Sequence, residues 1–101
     1  MANIEKARQA LMRRVLEGEG RSSRLERRAA FNNTDLTEPL RQLVDKVAVN
    51  ASTINDQDID RVRQSGLSED QIFEMVVCAA IGQATRQYEE AKTALKAVLR
   101  R

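Results

Sequence analysis

Apolar residues recur along this chain at three- and four-residue steps, and no stretch alternates apolar with polar for the length of a strand. Such spacing gathers them on single helix faces and predicts an all-α protein. A first helix is expected from about Ile4 to Glu17, with Asn3 as its cap and Glu5 at its positive start. Ile4, Ala7, Ala10, Leu11 and Val15 form its expected buried stripe, and Gly18 and Gly20 end it. Ser23 and Glu26 are spaced as a capping box that opens a short second helix. There Leu25, Ala29 and Ala30 are expected to face inward and Arg24, Arg27 and Arg28 outward, ahead of a loop at residues 32–35. Thr37-Glu38-Pro39 predicts a third helix capped by Thr37, with Leu40, Leu43, Val44 and Val47 buried, ending near Asn50. A fourth is expected from Asp56 to Ser65, with Ile59 and Val62 inward.

The junction Ser65-Gly66-Leu67-Ser68-Glu69-Asp70-Gln71 is the sharpest signal. Gly66 suits a left-handed helix stop, and Ser68 with Gln71 forms a second capping box. A fifth, long helix is expected from Glu69 to about Leu99. Its segment from Ile72 to Ile81 is apolar almost all round and reads as buried; beyond Arg86 it becomes amphipathic. The expected architecture is a bundle of about five helices with a long C-terminal helix, in one domain spanning 1–101.

Composition narrows the functional classes. Aromatics are 3% of 101 residues, so Leu, Ile, Val, Ala and Met must build the core. A core this small gains from oligomerisation. The net charge of +2 is too mild to argue for nucleic acid. The segment from Asp58 to Cys78 resembles a helix-turn-helix in outline, but its second helix opens with Glu69-Asp70, which repels phosphates. No apolar run approaches membrane-spanning length, and the N-terminus lacks a signal-peptide core, so a cytoplasmic location is expected. Cys78 is the single cysteine and there is no His. These counts exclude an intramolecular disulfide, His metal ligands and every Ser-His or Cys-His nucleophile. No metal or cofactor is expected.

Few residues remain as candidates for chemistry. Asp56, Asp58 and Asp60 read either as a cation site or as a negatively charged helix start; Arg61 where an EF-hand loop needs Gly favours the second. Arg21, Arg24, Arg27 and Arg28 read either as a seat for phosphate or an acidic partner, or as a solvated face. Cys78, set among Val76, Val77, Ala79 and Ala80, is expected to be an unreactive core thiol. Glu74 interrupts the apolar run one turn earlier. It is either a buried acid or a solvent-facing side chain, with Arg86 and Tyr88 as candidate partners across a subunit interface.

Several stretches carry a family resemblance: Val44-Asp45-Lys46-Val47-Ala48, Asp56-x-Asp58-Ile59, Gly66-Leu67-Ser68-Glu69-Asp70-Gln71-Ile72-Phe73-Glu74, and Ala79-Ala80 followed by Arg86. On these residues the chain from Pro39 to Leu99 resembles the carboxymuconolactone decarboxylase and AhpD-like alkylhydroperoxidase family. The resemblance implies an AhpD-like core over 36–101, a helical extension over 1–35, and assembly into dimers, trimers or hexamers. It also implies peroxidase or decarboxylase activity, but active AhpD-like members use Cys-x-x-Cys with a His four residues later. Counting back from Gly66, those places fall at Ala51, Ile54 and Asp58, so the dithiol and its His are absent.

Three functions follow as expectations. The first is a non-catalytic AhpD-like homo-oligomer, assembled through Phe73, Val77, Ala80, Ala84, Tyr88, Ala91 and Leu95, with a cleft for a small, partly apolar ligand. The second is an enzyme using Glu74, Arg86 and Tyr88, with a carboxylate as base and Arg holding an anion. The third is a regulatory, partner-binding protein with Arg24, Arg27 and Arg28 as its contact face.

Overall fold

Local signals set the element boundaries, and a computed structural model describes residues 2–100. Among them are five α-helices and no strand: α1 (Ala2–Glu17), α2 (Arg24–Asn32), α3 (Leu40–Val49), α4 (Asp56–Gln64) and α5 (Glu69–Leu99), with a short 3-10 turn at Ala51–Thr53. No helix among the described residues is long and apolar enough to cross a membrane. Capping boxes form at three helix starts. Ser23 pairs with Glu26, Asn55 with Asp58, and Ser68 with Gln71. Each satisfies two backbone donors that an open helix end leaves unpaired. Gly66 turns the chain from α4 to α5 at φ 112°, a conformation that costs a side-chain-bearing residue heavily. Asn33 ends α2 in the left-handed region and donates its N–H to the Ala29 and Ala30 carbonyls. The third helix differs from expectation at its start. Leu40 is its first residue, Pro39 occupies the cap position, and no side chain caps it.

The other helices build the core on the N-terminal half of α5, and the start of α1 reaches on to Tyr88 and Lys92. Met75, Cys78 and Ala79 meet Leu16, Ala30, Phe31 and Val44 in one core cluster. Leu43, Val62 and Ile72 form a second beneath α3 and α4. The closest approach is between α2 and α5, at Gly82. A Cβ there would overlap the backbone of Phe31, coming within 2.7 Å of its carbonyl carbon. The missing side chain is what lets the two backbones touch.

Packing reverses several expected faces. In α1 the residues turned to the core are Met12, Val15 and Leu16, whereas Ile4 and Leu11 are half exposed and Ala7 and Ala10 are exposed. In α2, Arg27 is 5% exposed and Leu25 is 80% exposed, the opposite of the expected order. The deciding residue is Phe31: its ring goes into the core and carries the face shared by Arg27, one turn earlier, inward with it. In α5 the segment from Ile72 to Ile81 is not buried all round, since Phe73 and Ala80 lie on an outer face.

That outer face is the main peculiarity of the fold. The molecule extends 52 × 28 × 21 Å, and its long axis reflects α5, about 46 Å long at 1.5 Å per residue. Residues 93–100 are exposed throughout, beyond the reach of the other helices.

Candidate functional site

Two places on α5 combine chemistry with access. The first is a cleft of about 400 Å³ where the end of α1 meets α5, lined by Arg14, Val15, Gly18, Glu19, Arg27, Phe73, Glu74 and Val77. Two of its polar groups, Glu74 and Arg27, are already engaged within the fold. Glu74 accepts hydrogen bonds from the backbone N–H of Arg21 (2.5 and 3.0 Å) and of Ser22 (2.9 Å). The carboxylate thus ties the loop between α1 and α2 to α5 through two backbone donors. Arg27 donates to the carbonyls of Gly18 (2.5 Å) and Val15 (3.4 Å), placing its charge at the negative end of α1. Cys78 lies behind this cleft, 2% exposed, its thiol 3.4 Å from the Val15 carbonyl. Burial pushes the Cys78 thiol above its ordinary pKa and the Glu74 charge adds to that, while Arg27 opposes it. A protonated, enclosed thiol is a poor nucleophile.

The three residues weighed as a catalytic set are not brought together. Glu74 holds the α1–α2 loop. Arg86, roughly 18 Å further along the helix, donates to the Phe31 carbonyl (2.6 Å) and to Gln83 (3.1 Å), closing the end of α2. Tyr88 donates to Glu5 (3.1 Å), and the Arg8 guanidinium lies 4.0 Å over its ring. Lys92 (3.5 Å) and Arg8 (3.0 Å) also reach Glu5. The Tyr88 hydroxyl and these two cations lower the Glu5 pKa. Each of the three thus docks a different piece of the chain on α5, and no pocket is shared by all of them.

Asp58 also has a role in the fold. It is buried, accepts from Asn55 N–H (3.0 Å) and Lys46 Nζ (2.8 Å), and those bonds lower its pKa. Asp56 and Asp60 remain exposed on the same helix, and no group of three metal-ligating side chains converges among the described residues. The contact face drawn from Arg24, Arg27 and Arg28 loses its middle member to the interior.

The second place is the outer face of α5. Phe73, Ala80, Ala84, Ala91 and Leu95 are all exposed, Val77 and Tyr88 partly so. Beside Ala84, Leu11 of α1 joins Ile81 and Tyr88 in a groove of about 230 Å³. This apolar strip follows the helix from Phe73 to Val98. On the projecting end, Ala91, Leu95 and Val98 continue it, while Glu89, Lys92 and Lys96 lie on the other side.

Sequence reasoning missed Phe31, Arg27 and Gly82. Gly82 carried a readable signal, because a glycine inside a long helix marks a close approach more often than a break. Arg27 carried none until Phe31 fixed the rotation of α2. No family model, no curated protein and no solved structure matches this chain.

Proposed function

We propose that this protein is a non-catalytic helical protein that works as a homo-oligomer assembled through the outer face of α5. One observation carries the reading: a helix face with Phe73, Ala80, Ala84, Ala91, Leu95 and Val98 exposed, aligned from the folded body to a projecting end. Contiguous apolar surface of this kind marks an interaction site. The projecting end adds a second reason. A helix end this short is marginal in water without a partner to pack on.

The AhpD-like reading rests on sequence resemblance alone, over Val44–Ala48, Gly66–Glu74 and Ala79-Ala80 with Arg86. The absence of a dithiol and His, and the commitment of Glu74, Arg86 and Tyr88 to docking contacts, support a non-catalytic reading over peroxidase or decarboxylase chemistry. The cleft between α1 and α5 is where a small, partly apolar ligand would sit. Val15, Phe73 and Val77 offer it apolar contact and Arg14 a charge.

Light scattering tests the assembly. The unmodified chain is expected at a multiple of 11.4 kDa. Ala84→Glu buries a charge in the seam and is expected to give single chains with unchanged helicity. An unmodified chain that stays monomeric at every concentration refutes the proposal.

A further inference from the structure

The apolar strip has an internal symmetry about Ala84. Phe73 and Leu95 stand eleven residues to either side of it, and Val77 and Ala91 seven to either side. A large side chain therefore sits eleven residues to either side of Ala84, with Val77, Ala80, Tyr88 and Ala91 between. We infer that two copies of this chain pair antiparallel along α5, with a twofold axis through Ala84. This rests on the self-association proposed above and adds its geometry.

In that register Phe73 of one copy lies beside Leu95 of the other, Val77 beside Ala91, and the two Ala84 residues meet at the axis. Tyr88 falls beside Ala80, so no large residue meets its own copy, and the small Ala84 pair lets the backbones approach at the centre. A parallel pair would instead stack Phe73 on Phe73 and Tyr88 on Tyr88, and would set alanine opposite alanine at 80 and 91 as well as at 84. The contact is isologous, so it closes with two chains, and Val98 falls beside the partner's Asp70 at the edge of the seam.

Charge favours the same direction. The first turn of α5 carries Glu69 and Asp70, and its last turn carries Lys96 with Arg100 just beyond. Antiparallel pairing sets the acidic end of one helix beside the basic end of the other; parallel pairing would set like charges together.

The area lies at the small end of what a specific pair buries. The strip covers residues 73–98, about 38 Å of helix roughly 10–12 Å wide, or about 400 Å² on each copy. Leu11, 45% exposed beside Ala84, widens it near the axis. The total approaches the roughly 1,000 Å² that a specific interface needs.

Disulfide trapping reads the geometry directly. Phe73→Cys, Ala84→Cys and Leu95→Cys replace exposed residues, and native Cys78 stays enclosed. Under mild oxidation Ala84→Cys is expected to move from the one-chain to the two-chain band by itself. Phe73→Cys is expected to do so only when mixed with Leu95→Cys. If Phe73→Cys and Leu95→Cys each trap their own copies and the mixture adds nothing, the pairing is parallel and the inference is overturned, while self-association stands. If no variant is trapped although light scattering shows an oligomer, the interface lies elsewhere and the inference is again overturned. A monomer in light scattering defeats the underlying reading itself.

Discussion

Gly82→Ala should destabilise this protein, although it replaces glycine by the best helix former in the middle of a long helix. On propensity alone the change stabilises by about 1 kcal/mol. Here, however, the new methyl would meet the Phe31 backbone, with the carbonyl carbon at 2.7 Å and the Cα at 2.9 Å. Backbone at a helix end cannot swing aside as a side chain does, so α2 must shift away from α5. Overpacking of that kind costs about 1–3 kcal/mol. The shift also stretches the bond from Arg86 to the Phe31 carbonyl, and hydrogen bonds from charged donors contribute about 1.5–3 kcal/mol. The net expectation is a loss of about 2 kcal/mol. For a domain of this size each kcal/mol moves Tm by about 4–8 °C, so Tm should fall by roughly 8–16 °C. Circular dichroism melts give the answer, made in an Ala84→Glu background so that self-association does not shift the midpoint. A Tm that rises would show that α2 does not lie against Gly82, and the account of how α5 acquires its two faces would be wrong.

Two further outcomes follow from the buried ionisable groups. Asp58 is held below its ordinary pKa of 3.8 by the bonds from Lys46 and Asn55, so the unfolded chain takes up the proton first. Its contribution is therefore complete above the carboxylate range and lost as pH falls through and below about 4. Melting at pH 3 to 7 should show Asp58→Asn well below the unmodified chain at pH 7, with the gap closing toward pH 3; a gap independent of pH contradicts the ion pair. Cys78 should react with Ellman's reagent more slowly in the native protein than in urea by roughly two orders of magnitude or more, because reaction waits on local opening. Immediate labelling of the native chain would place the thiol at the surface.

Much of this molecule is written in short-range chemistry. Ser23 with Glu26, Ser68 with Gln71, Gly66 and the run from Ile72 onward gave α2, α4 and α5 to within a residue or two. Caps and stops act between residues at most four apart, which is why a sequence displays them. The lack of His and of a second Cys likewise excluded whole classes of chemistry before any fold was known.

Which way each helix turns was another matter. Ile4, Ala7 and Leu11 keep helical spacing, yet Met12, Val15 and Leu16 take the core, because a neighbouring stripe on α1 fits the surface that α5 offers. Arg27 enters the interior because Phe31 does, and because the open end of α1 supplies carbonyls for its charge. Glu74, Arg86 and Tyr88 looked like a set in one dimension, but the helix spreads them along its length and each holds a different partner. The apolar density of α5 was visible from the start. Only the packed structure divides it into a face that Phe31, Leu16 and Val44 cover and a face that the described residues leave largely exposed. Periodicity tells how many apolar residues share a side of a helix; the shapes of the neighbouring helices decide which side goes in.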